Sequence, residues 1–76
     1  MNSLTNKQIR ELMTEFSPSP GFVLKLTRAE FEELVEDATD IDISERPESN
    51  GKRLKFILKE AFDEQVNALI TALRAV

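Results

Sequence analysis

Two ten-residue stretches, Leu4-Thr5-Asn6-Lys7-Gln8-Ile9-Arg10-Glu11-Leu12-Met13 and Leu26-Thr27-Arg28-Ala29-Glu30-Phe31-Glu32-Glu33-Leu34-Val35, align position for position at an offset of 22 residues. In each, a threonine is followed three residues later by Gln8 or Glu30. That is the spacing of a capping box, in which the hydroxyl accepts a backbone N–H one turn on and the longer side chain accepts the threonine N–H. Leu4 with Ile9, and Leu26 with Phe31, have the spacing of a hydrophobic staple. Ile9, Leu12, Met13 and Phe16 then fall at i, i+3, i+4 and i+7, as do Phe31, Leu34, Val35 and Ala38. These apolar stripes predict helices over 6–16 and 28–38. The shared formula reads as an internal repeat or as two helices meeting the same end problem in the same way; the second is the simpler reading.

The pattern recurs twice more. Ser17-Pro18-Ser19-Pro20-Gly21 ends the first helix, because proline cannot continue the hydrogen-bond ladder and restricts the residue before it. Between Thr39 and Asn50, Ile41 and Ile43 alternate with Asp40 and Asp42, which suits a short extended segment placing two isoleucines in the core. Pro47 and Ser49-Asn50-Gly51 mark a loop and a new helix start. Leu54, Ile57, Leu58 and Ala61 form a third stripe, and Val66, Leu69, Ile70 and Leu73 a fourth. The expected helices run over 51–61 and 64–75, with Asp63 as N-cap of the last. Without Gly or Pro at the junction a single long helix is the competing reading, but its later stripe would have little to pack against. Four stripes with short connections predict an all-α, small antiparallel bundle of four helices in a single domain.

Composition narrows the chemistry. The 76 residues include no His, Cys, Trp or Tyr. Thiolate and imidazole metal sites, and Ser/His/Asp or Cys/His nucleophile systems, have no residues to build them. Carboxylates are plentiful, but so small a bundle has little room for a pocket that would drive their pKa values apart. A non-enzymatic domain with no cofactor, no metal and no small-molecule substrate is the expectation. Asp40, Asp42 and Ser44 imitate the start of a calcium loop, yet Glu45 stands where glycine is required and Gly51 where glutamate is. Gly51-Lys52-Arg53 lacks the rest of a phosphate loop. No apolar run approaches the ~20 residues that span a bilayer, and the first residues have no signal-peptide pattern. A cytoplasmic location is expected. Leu73-Arg74-Ala75-Val76 stops inside a helical pattern without a cap, as the N-terminal module of a longer protein would.

A formal charge of −4 conceals a segregation. Residues 30–48 hold nine carboxylates and one arginine, whereas 52–59 hold Lys52, Arg53, Lys55 and Lys59 with no acid. On a wheel, Glu30, Glu33, Glu36 and Asp37 lie broadly opposite the second stripe. Lys52, Phe56 and Lys59 lie opposite the third, with Phe56 about 160° from Leu54 and Leu58. Either the 39–50 connection or another helix covers Phe56, or Phe56 is an exposed anchor ringed by Lys52, Arg53, Lys55 and Lys59. The second reading makes those five residues a candidate interaction surface, with Glu30, Glu33, Glu36 and Asp37 as a candidate acidic counter-surface. The alternative use of the basic helix is weak nucleic-acid contact, although net acidity argues against an indiscriminate binder.

From Leu24 to Leu73 the chain runs Leu-x-Leu-Thr-Arg-x-x-Phe, Ile41-Asp42-Ile43, Ser49-x-x-Lys52-Arg53-Leu54-Lys55-x-Ile57-Leu58, and Asp63-Glu64-x-Val66. This resembles the small helical N-terminal domains of AbiJ-type abortive-infection proteins, found at the front of bacterial anti-phage effectors. The resemblance implies an accessory or adaptor module whose toxic activity, often an RNase of the HEPN type, lies in a following segment. Its partners would be a sensor, the fused effector or another copy, and it carries over no catalytic residue.

Overall fold

The computed structural model describes residues 2–76. Four helices, α1 (Asn6–Phe16), α2 (Arg28–Thr39), α3 (Asn50–Glu60) and α4 (Asp63–Arg74), pack principally as α1 on α3 and α2 on α4. No strand occurs among the described residues. The 39–50 connection is irregular, although it buries Ile43 and half-buries Ile41.

Both capping boxes form. Thr5 Oγ1 accepts the Gln8 N–H at 3.1 Å, and Gln8 Oε1 accepts the Thr5 N–H at 2.8 Å. Thr27 and Glu30 reproduce the arrangement at 3.2 and 2.8 Å. Ser49 caps α3, accepting from the Lys52 N–H at 3.4 Å. The α2 helix runs one residue past its expected end and stops at Asp40, whose φ of 62° places it in the left-handed region.

The α3–α4 junction corrects one expectation. Asp63 is the first residue of α4 and Phe62 is its cap, so both later helices lie one residue earlier than the stripes suggested. Ala61 and Phe62 are extended, with ψ near 160°, which separates the two helices. Gln65 Oε1 accepts the Phe62 N–H at 2.9 Å. The N-terminal segment secures the break: Asn2 Nδ2 donates to the carbonyls of Leu58 and Ala61 at 2.8 and 2.7 Å. Those are groups a helix C-terminus leaves unpaired. Asp63 Oδ1 accepts from Ser3 N and Oγ at 2.9 and 3.0 Å.

The core draws Ile9 and Phe16 from α1, Phe31 and Val35 from α2, Leu54, Ile57 and Leu58 from α3, and Val66, Leu69 and Leu73 from α4. Val23 in the 17–27 connection is also fully buried, outside any stripe. Leu12, Met13, Leu34 and Ile70 occupy stripe positions but are only half-buried. The 17–27 connection folds onto the start of α3, where the Gly51 N–H approaches Gly21 O at 3.4 Å. Gly21 has φ +85°, a conformation open to glycine. A Cβ on Gly51 would stand 3.0 Å from Ser17 Oγ and 3.3 Å from Gly21 N.

Candidate functional site

Of the five residues on the candidate basic surface, Arg53 does not reach it. Its side chain is fully buried. Nη1 donates to Asn50 Oδ1 at 2.9 Å, and Nη2 donates to Glu32 Oε2 at 2.5 Å and to Ile43 O at 3.1 Å. Burial pulls its pKa below the ordinary arginine value, aided by Arg28 and opposed by the charges of Glu32 and Glu48. A guanidinium stays charged there nonetheless. The residue flanks Leu54 at the edge of the apolar stripe, as the exposed Lys55 does on the other side; its three-way fork is what makes the buried position tolerable.

Phe56 is not an exposed anchor either. It is half-buried against the core, and the Arg46 guanidinium lies 3.7 Å from its ring centroid. The 39–50 connection therefore covers it, the first of the two readings above. Arg46 also pairs with Glu48 at 3.0 Å. Arg28 donates to the carbonyls of Arg46 and Glu48 at 2.6 and 2.8 Å. Three arginines thus hold the acidic connection to the body of the domain, drawing Glu32 and Glu48 inward.

What remains outside is a simpler pair of charged rows. Lys52, Lys55 and Lys59 are exposed on α3 at i, i+3 and i+7. Lys55 and Lys59 line a cleft of about 260 Å³ with Asn6, Ile9 and Arg10 of α1. Arg10 joins the basic group only because α1 packs on α3; nothing in their sequence separation announces it. Among the described residues Arg28, Arg46, Arg53 and Arg74 take part in ion pairs, and Arg10 does not.

The four residues of the candidate acidic counter-surface, Glu30, Glu33, Glu36 and Asp37, are all exposed. Glu30, Glu33 and Asp37 edge an open groove of about 490 Å³ whose floor is Leu34, Ala38 and Ala72. Glu36 is exposed but does not line it. The α4 share of the floor is Ala72, a residue with no functional signature of its own. Glu30 has a second duty, since the Thr27 backbone and hydroxyl hydrogen bonds lower its pKa.

No group of three or more potential metal ligands occurs among the described residues. None of the helices is long and apolar enough to cross a membrane. No protein-family model, no curated protein and no solved structure significantly matches the chain.

Proposed function

We propose that this chain is a non-catalytic protein-interaction domain with a regulatory or adaptor role at the front of a bacterial anti-phage effector. The observation that supports the interaction reading is the α2–α4 groove: an apolar floor of Leu34, Ala38 and Ala72 edged by Glu30, Glu33 and Asp37. Two alanines on the floor leave room for another helix, and the carboxylates select one with lysines or arginines beside its apolar stripe. The defence context rests on the abortive-infection resemblance alone. In its most specific stretch, Ser49 caps a helix, Arg53 is a buried ion centre and Leu54 is core, so those positions serve folding.

The test is titration with a synthetic lysine–alanine–leucine helical peptide, followed by amide chemical shifts. Shifts confined to α2 and α4, weakened by salt and by Glu33→Lys, are expected. A peptide that perturbs neither helix at low salt overturns the groove as a docking site.

The α1–α3 cleft supports a second reading. Arg10, Lys55 and Lys59 converge there with Lys52 on the same α3 row, which suits the phosphates of a nucleic acid. Fluorescence anisotropy with RNA and DNA oligonucleotides tests it; no change at low salt ends it.

A further inference from the structure

We infer that the partner of the acidic groove is a second copy of this chain, docking through the basic row of its α3; this deepens the interaction reading and depends on it. The two rows match in sign and spacing. Glu30, Glu33 and Asp37 stand at i, i+3 and i+7 along α2, and Lys52, Lys55 and Lys59 stand at i, i+3 and i+7 along α3. Each row is about 10 Å long at the helical rise per residue. All six side chains are exposed, and none takes part in an ion pair among the described residues.

Laid side by side in either direction, the rows bring Glu33 and Lys55, their middle members, together. The four-carbon stems of the lysines supply apolar surface for the floor of the groove while their ammonium groups reach its acidic edge. No protruding aromatic is needed, which agrees with Phe56 being covered by Arg46. Each copy carries one row of each sign on different helices. Every row-to-row contact therefore leaves a second acidic and a second basic row to be satisfied, either reciprocally in a twofold pair or by further copies. Exposed ion pairs are individually weak and screened by salt, so the association is weak and depends on ionic strength.

Sedimentation equilibrium on the intact chain tests this, with Glu33→Lys and Lys55→Glu as the variants. Both positions are exposed, and circular dichroism checks that each variant folds. The wild type is expected to associate at about 20 mM salt, with an association constant at least tenfold lower at about 300 mM. Each variant alone should lose association by a similar factor. Mixing the two should restore it, because the lysine introduced into one variant then faces the glutamate introduced into the other. A wild type that stays monomeric at low salt, or association that both reversals leave unchanged, overturns the assignment. The helical peptide separates the two failures: a monomer that still binds it in α2 and α4 removes only the self-pairing, and one that does not removes the groove as well.

Discussion

Arg53, fully buried, donates to Glu32 Oε2 at 2.5 Å, and through this contact α3 is tied to α2. The two helices share the core but are not a principal packing pair in the fold, and this ion pair joins them directly. The same guanidinium holds Ile43 O, and with it the connection between the two helices.

Removing Glu32 leaves that guanidinium buried without its carboxylate. Glu32→Ala is expected to destabilise the fold by about 2–4 kcal/mol, the range for breaking a buried pair with some relief from the exposed side of the site. Glu33→Ala, one residue on and exposed, should stay within about 0.5 kcal/mol. Urea denaturation of both variants measures the difference; equal midpoints would sink the assignment of Arg53 as an internal ion centre.

Gly51 is the second residue of α3, in its first turn, where alanine gains less than the about 1 kcal/mol of a helix interior. Here the new Cβ would press on Ser17 Oγ and on the Gly21 backbone at 3.0 and 3.3 Å. The serine hydroxyl can rotate, but the glycine backbone has less freedom. Gly51→Ala is expected to lower stability by about 0.5–2 kcal/mol, since overpacking outweighs propensity. Gly51→Leu should lower it further, and thermal melts of the two variants give the order.

Phe56→Ala should act on folding. The ring contributes half-buried packing and a cation–π contact with Arg46, together about 2–3 kcal/mol. The expected result is a lower melting temperature with unchanged peptide binding at temperatures where the variant is folded. Lost binding in a variant of wild-type stability would instead return Phe56 to the surface role its position on the wheel suggested.

Acid should destabilise the domain. The Arg74 hydrogen bond lowers the Glu15 pKa, the Thr27 N–H lowers that of Glu30, and the Ser44 hydroxyl lowers that of Asp42. Each group is deprotonated more readily in the folded chain, so near pH 4 the unfolded chain binds more protons. The stability these groups confer is complete above the ordinary carboxylate values of 4.5 and 3.8, and is lost as pH falls through the lowered folded ones. Denaturation midpoints measured from about pH 6 to about pH 3 should fall, and Glu15→Gln should flatten the fall. A flat or rising profile contradicts the sign.

The four helices and both capping boxes were legible because their causes are local. A threonine and its partner one turn on satisfy each other whatever surrounds them, and an apolar stripe at helical spacing has one face to bury. Charge segregation was legible for the same reason, as a property of neighbouring residues on two helices. The fates of individual charges were not. Arg53 and Lys55 flank Leu54 at equal angles on the helix, yet one is buried and the other exposed, because Glu32, Asn50 and Ile43 converge on only one of them. Phe56 sits opposite its stripe and is still half-covered, because three arginines draw the 39–50 connection across it. Arg10 and Ala72 entered the candidate surfaces through helix pairs that no short-range pattern specifies. Local hydrogen bonding and periodicity set which segments are helical; which charged side chains remain in water depended on how distant segments desolvate and pair them.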